Sequence, residues 1–248
     1  MVVLLLGGCS SVGGWVTDLF KAKPQPLLPA AELYQIGESE LNRRRYDEAR
    51  FNFKKIVERH PTSSYAPRAR FLIGESYYRE GEFENAIKAF EPFLAFFPRH
   101  QIADLVQFRL AMSYYDQMKA VEQDQGITVK AIESFKTLVK EYPDSRYAGD
   151  ALAKIDVCRG RLAQKELWVA SYYVTQGSPG AARQRLEQLL KEYPRTLVVP
   201  EALFRLADVY AVEGNNQEAQ ETFRRLADEY PFSEWGRRAA QRLRTVAR

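Results

Sequence analysis

Five prolines, each closing a similar segment, constrain this chain more than any other feature of its sequence. Each follows a ring-bearing residue: His60-Pro61, Phe97-Pro98, Tyr142-Pro143, Tyr193-Pro194 and Tyr230-Pro231. Twelve residues before each Pro stands an Ala (Ala49, Ala86, Ala131, Ala182, Ala219), and eight before it a Phe or Leu (Phe53, Phe90, Phe135, Leu186, Phe223). Proline has no N–H and pushes the preceding residue out of helical conformation, so a helix that reaches it must stop. The Ala and the Phe or Leu, four apart, share one face of that helix. Further upstream, small residues at Gly37, Gly74, Ala111, Ala170 and Ala207 let a preceding helix approach closely. A single helix pair cannot bury its own apolar face, so neighbouring pairs must stack.

These offsets are similar to the tetratricopeptide pattern, which implies an all-α superhelix of five helix pairs over residues 31–248. The expected repeats cover about 31–66, 67–103, 104–148, 149–199 and 200–248. Polar residues after the prolines, such as Thr62-Ser63, Asp144-Ser145 and Arg195-Thr196, are expected to cap the next helix. Two departures from period carry information. In the third repeat Ala111 and Ala131 are twenty residues apart, where Gly37 and Ala49 are twelve apart, so a loop around Asp116 to Gly126 is expected to protrude. Pro143 and Ala170 are 27 residues apart, where Pro61 and Gly74 are 13 apart. The excess of 14 is close to four turns at about 3.6 residues each, which keeps the packing face in phase. Tyr147 to Thr175 holds no Pro, and Ala151, Ile155, Leu162, Leu167 and Ala170 recur at largely helical spacings. One long helix bridging repeats one to three with four and five is the expectation.

The N-terminus reads differently. Val2 to Leu6 form an apolar run, followed by Gly7-Gly8-Cys9 and the small polar pair Ser10-Ser11. Together these resemble a bacterial lipobox, implying a lipid on Cys9 and removal of residues 1–8. The run is shorter than the roughly 7–15 residues of a signal-peptide core and lacks a preceding cation, so it reads as a signal peptide truncated at its start. Residues 9–30 then form anchor and flexible linker, broken by Gly13, Gly14, Pro24, Pro26 and Pro29. No stretch approaches the roughly 20 apolar residues of a membrane-spanning helix.

Composition excludes several classes of function. Hydrophobic residues make up 46% of the chain, enough for a core, and 36 Lys and Arg against 32 Asp and Glu leave a mixed surface of net charge +4. That balance does not point to nucleic acid. Cys9 and Cys158 are the two cysteines, with no CxxC or Cys/His cluster, so neither a disulfide framework nor a metal site is expected. His60 and His100 lie beside terminal turns, far from a second ligand, and Cys158 reads as a packed thiol. Glu80, Glu82 and Glu84 belong to a polar turn, and no phosphate loop, nucleophile elbow or dinucleotide fingerprint occurs. No catalytic residue and no cofactor is assigned. Arg237, Arg238, Arg242, Arg244 and Arg248 concentrate positive charge near the C-terminus. They form either a solvated face that complements the helix dipole or a surface for an acidic partner or anionic lipid.

The lipobox, the five repeats, the long helix and the block with Ser171-Tyr172-Tyr173, Gly177, Ala181-Ala182, Arg185 and Tyr193-Pro194 together resemble the BamD family. These are tetratricopeptide lipoproteins of the complex that inserts β-barrel proteins into the bacterial outer membrane. The resemblance implies a non-catalytic scaffold, lipid-anchored on the periplasmic face of the outer membrane. Ser10 rather than Asp after Cys9 agrees with the sorting rule of enterobacterial lipoproteins. It further implies that the N-terminal repeats receive unfolded barrel precursors, that the C-terminal repeats dock a periplasmic domain of a BamA-like barrel protein, and that other assembly lipoproteins are partners. In tetratricopeptide proteins the first helix of each pair lines the concave groove. That rule places Tyr34, Glu38, Leu41, Phe71, Glu75, Tyr78, Phe108, Met112 and Tyr115 on one candidate peptide-binding surface. A lipid-anchored adaptor for cell-wall or secretion machinery is the alternative that the repeats allow.

Overall fold

The computed structural model describes residues 28–246, which form eleven helices and no strand. In order these are α1 (Ala30–Asn42), α2 (Tyr46–Arg59), α3 (Ala66–Glu80), α4 (Phe83–Phe96), α5 (Ala103–Tyr115) and α6 (Gly126–Glu141). The long α7 (Ala148–Thr175) follows, then α8 (Pro179–Glu192), α9 (Val199–Val212), α10 (Asn216–Glu229) and α11 (Glu234–Val246). Each helix packs on its neighbours in the chain, and α3 also touches α5, as α9 touches α11. The five expected pairs are α1/α2 to α9/α10. At the far end α11 closes the stack, with Ala239 buried and Trp235 5.1 Å from Phe204. Residues 1–27, with Cys9 and most of the linker, and Arg248 lie outside the described residues. No helix among the described residues is long and apolar enough to cross a membrane.

The prolines act as their chemistry requires. The residue before each leaves the helix at nearly one conformation: His60 at φ −131°, ψ 50°, Phe97 at −131°, 49°, Tyr142 at −132°, 61°, Tyr193 at −126°, 49° and Tyr230 at −131°, 50°. Its carbonyl then accepts an N–H three residues on, from Ser63, His100, Ser145, Thr196 and Ser233. The capping expectation needs correction. The residues preceding α3, α7 and α9 are Tyr65, Tyr147 and Val198, and none makes a side-chain cap. The polar residues instead shape the turn one step earlier, where Ser63 Oγ accepts from the Tyr65 N–H and Ser145 Oγ from that of Tyr147. Backbone carbonyls of the turn have taken the capping role.

Packing follows the sequence pattern closely. Ala49, Ala86, Ala131, Ala182 and Ala219 are buried, as are Phe53, Phe90, Phe135, Leu186 and Phe223. A Cβ placed on Gly37 would lie 2.6 Å from the Phe53 ring, and one on Gly74 would strike Phe90. Those two glycines therefore set how closely α1 and α3 approach their partners.

Helix α7, 28 residues long, departs from the rule that a first helix serves both neighbours at one level. Its N-terminal half buries Ala151, Ile155 and Cys158 with Phe135 of α6. Its C-terminal half buries Ala163, Leu167 and Ala170 with Ala182 and Leu186 of α8. The two contacts are offset along one rod, by about 21 Å for a 14-residue excess. The loop of residues 116–125, expected to protrude, is largely exposed and is anchored to α7 at two points. Met118 Sδ lies 3.6 Å from Cys158 Sγ, and Lys165 Nζ of α7 donates to the Glu122 carbonyl at 2.9 Å. Inside the loop the buried Gln125 amide donates to the carbonyls of Ala120 and Gln123, which holds its shape.

Candidate functional site

The nine groove residues fall on α1, α3 and α5, and the structure separates them by burial. Tyr34, Leu41 and Phe71 are core residues. Phe71 lies 6.0 Å from Phe90, while Tyr34 lies 6.0 Å from Phe53 and 5.0 Å from Tyr65. These side chains pack between helices, so only their edges are available to a ligand. The Tyr34 hydroxyl donates to Glu38 Oε1 at 2.8 Å. Burial first, and then that carboxylate, push the phenol up to about 12.

Glu38, Tyr78, Phe108, Met112 and Tyr115 are half-buried and form the accessible part. Phe108 stacks on Tyr147 at 4.9 Å, and Lys154 Nζ sits 4.2 Å from the Tyr115 ring. Tyr78 joins α3 to the loop after α5, because its hydroxyl donates to Asp116 Oδ2 at 2.5 Å. Burial and the Asp116 carboxylate hold that phenol well above its usual range.

A buried ion cluster lies beside the Tyr78 ring. Glu75 on α3 is 2% exposed, yet two cations reach it. Arg79 Nε donates to Oε1 at 2.8 Å, and Arg109 Nη2 of α5 donates to the same oxygen at 3.3 Å. Arg109 Nε lies 2.8 Å from Oε2, but the contact is off-line for an N–H donor, so these two buried atoms form an ion contact without a hydrogen bond. The Arg109 guanidinium also sits 5.0 Å from the centre of the Tyr78 ring. One buried carboxylate faces two guanidiniums, so the charge of Glu75 is fully compensated and both arginines keep further N–H donors. Such a cluster, beside the Tyr78 ring, suits the carbonyls and carboxylates of an extended peptide. Arg109, Asp116 and Tyr65 were not among the nine, since each enters through a partner on another helix, and Arg79 enters through Glu75 one turn before it on α3.

Groups with reactive potential have structural duties. His60 Nε2 lies 3.0 Å from the Leu28 carbonyl, tying the end of the linker to the first turn. His100 packs edge-on against Phe93. Cys158 is buried, and burial pushes its thiol up to about 11. Among the described residues no group of three or more His, Cys, Asp or Glu is placed to hold a metal ion.

Residues 27–222 match the family described as Outer membrane lipoprotein, YfiO. The chain belongs to this family. Its curated relatives bear the name outer membrane protein assembly factor BamD. The Rickettsia prowazekii protein is 30% identical over 95% of this chain and 90% of its own length. That of Caulobacter vibrioides is 29% identical over 95% of this chain and 75% of its own length. The Neisseria meningitidis serogroup A protein is 30% identical over 82% of this chain and 79% of its own. Among solved structures, a thermophilic tetratricopeptide protein of Thermus thermophilus is 20% identical, covering 86% of this chain and 98% of its own, with a TM-score of 0.38.

In this BamD-family chain the block that carried the resemblance spans the end of α7 and all of α8. Ser171 and Tyr173 are partly buried on α7, Gly177 turns the chain at φ 67°, and Arg185 Nη1 pairs with Glu166 Oε2 of α7 at 3.2 Å. The C-terminal arginines are partly engaged. Arg238 pairs with Glu234 at 2.8 Å and lies 4.8 Å from the Trp235 ring, Arg242 pairs with Asp208 at 3.3 Å, and Arg237 donates to the Phe232 carbonyl at 2.8 Å.

Proposed function

We propose that this chain is a binding scaffold of the outer membrane β-barrel assembly machinery, held by a lipid on Cys9 at the periplasmic face, and acting without catalysis. The groove on α1, α3 and α5 receives unfolded barrel precursors, and the C-terminal repeats dock the periplasmic domain of a BamA-like barrel protein. The observation that carries the precursor reading is the Arg79–Glu75–Arg109 cluster beside the half-buried Tyr78 ring. Family membership supports the partner reading, since the relatives are named as assembly factors. Other lipoproteins of the machinery are further partners in this reading.

Affinity capture of the full-length lipoprotein from gently solubilised membranes tests the partners. A co-purifying barrel protein with periplasmic repeat domains supports the reading, while recovery of cell-wall or secretion proteins alone would replace it with the adaptor alternative. For the groove, the probe is a synthetic peptide copying the aromatic-ended C-terminus of an outer membrane barrel, titrated by fluorescence anisotropy. Arg109→Glu and Tyr78→Ala are each expected to weaken it about tenfold, the scale of one lost hot-spot contact. Equal binding of a scrambled peptide would sink the groove assignment.

A further inference from the structure

The offset along α7 leaves the middle of the helix covered by neither neighbour's core. Cys158 is the last buried residue of the core shared with α6, and Ala163 is the first of the core shared with α8. Among the described residues α7 alone contributes to both cores, so a single rod joins the two halves. Gly160 lies between Cys158 and Ala163. A Cβ there would meet nothing within 4 Å, unlike at Gly37 and Gly74, so no close packing asks for a glycine. Glycine is the weakest helix former after proline, and its place in the interior of a helix that must carry the whole joint makes this the point of least resistance to bending.

Polar contacts clasp this joint from both sides. Arg159 Nη2, just before Gly160, donates to the Glu192 carbonyl of α8 at 3.1 Å. Lys165 Nζ, beyond Gly160, donates to the Glu122 carbonyl of the loop of residues 116–125 at 2.9 Å. That loop also holds Met118 Sδ 3.6 Å from Cys158 Sγ, so it runs alongside α7 across the glycine, over about 10 Å of helix rise. Its first residue is Asp116, whose carboxylate accepts from the Tyr78 hydroxyl of the candidate groove. A chain of contacts therefore leads from Tyr78 through Asp116 and the loop to Lys165 in the far half. The Tyr78–Asp116 and Lys165–Glu122 links are both solvent-exposed, so a ligand can compete for the first and a small change of geometry breaks the second.

We propose that the loop of residues 116–125 is a strap that restrains a bend of α7 at Gly160 and ties that bend to occupancy of the groove, a proposal that rests on the precursor reading above. A peptide carbonyl or carboxylate that takes the Tyr78 hydroxyl leaves Asp116 without its partner. The start of the strap is then free of α3, its hold on Lys165 loosens, and the C-terminal half swings about the glycine. Bend and groove share one set of contacts, so the coupling is reciprocal: whatever frees the strap also makes Tyr78 available to peptide. The angle between the precursor groove and the C-terminal repeats is thereby set by the bound precursor.

The test uses the full-length lipoprotein in detergent, spin-labelled through Lys88→Cys on α4 and Gln220→Cys on α10, both exposed positions, with the distance between the halves read by double electron–electron resonance. The buried Cys158 is out of reach of the label. The probe is the synthetic peptide copying the aromatic-ended C-terminus of an outer membrane barrel, and adding it is expected to shift and broaden the distance distribution. Lys165→Met and Asp116→Ala are each expected to broaden the distribution without peptide. By reciprocity they should also tighten peptide binding about fivefold in fluorescence anisotropy, the lower end of coupling between sites. Gly160→Ala is expected to narrow the distribution and suppress the peptide-induced shift. None of these side chains is buried, so melting temperatures should hold or, for Gly160→Ala, rise. A peptide-induced shift that persists unchanged in Gly160→Ala, or wild-type distributions and affinities in Lys165→Met and Asp116→Ala, overturns the strap while the precursor reading stands. If the wild type does not bind the peptide, the precursor reading fails and takes the coupling with it.

Discussion

Repeat two and repeat four occupy the same places in the pattern with different atoms. In repeat two Gly74 lies against Phe90, and a Cβ there would strike the ring. In repeat four Ala170 and Leu186 share a core cluster whose fully buried members are aliphatic. Aromatic residues fill the N-terminal half, with Phe53, Phe90, Phe93 and Phe135 all but inaccessible. The difference shows that the spacing fixes where helices meet, while the size of the facing pair fixes how near they come. A flat ring with glycine and a branched aliphatic with alanine are two volume-matched solutions to one interface.

The comparison breaks most visibly if the ring is removed. Phe90→Ala is expected to destabilise the chain by about 3–5 kcal/mol, because a fully buried ring leaves a cavity. Leu186→Ala should fall toward the lower end of about 2–5 kcal/mol. Urea unfolding measures both, and equal losses would erase the distinction between the halves. Gly74→Ala comes next, at about 1–3 kcal/mol from overpacking against Phe90. Adding Phe90→Leu should recover part of that loss, so the double variant is expected to be less destabilised than the sum of the two singles. Additivity would mean that the two residues do not limit each other.

Alkali should act on the first pair through one phenol. The folded Tyr34 phenol is raised above its ordinary value of 10.0 to about 12, so its neutral form favours the fold. Its contribution is whole below pH 10 and is lost as the pH climbs toward 12. Hydrogen exchange is expected to show α1 and α2 loosening across that window, with Tyr34→Phe flattening the response. The smallest effect concerns the turn within the first pair. Arg44 stands at φ 60° where Gly81 occupies the matching place in repeat two at φ 87°. Arg44→Gly relieves the left-handed strain and should raise stability by up to about 1 kcal/mol, read as a small increase in Tm.

Much of the fold was legible because its signals are local and repeated. Pro61, Pro98, Pro143, Pro194 and Pro231 each end a helix through their own covalent geometry, and the Ala and Phe offsets follow from helical periodicity. The long α7 was legible from the absence of proline and an excess that fits whole turns. The capping residues were misplaced because turn carbonyls compete for the same N–H groups, a contest composition does not reveal. The anchoring of the loop of residues 116–125 is not legible in the sequence because its partners, Cys158 and Lys165, lie some forty residues away.

The candidate groove divides in the same way. Its nine candidate residues share helices and register, which a repeat announces in one dimension. Glu75 with Arg109, and Tyr78 with Asp116, are pairs between different helices, and only the stacking angle and rise of the pairs bring them into contact. The sequence by itself determined where helices stop and turn their apolar faces, because those properties depend on residues within a few positions of one another. The tertiary structure alone decided which charges meet, which rings are left half-exposed and which side of α7 remains uncovered, because each is set by distances between segments that the chain order does not encode.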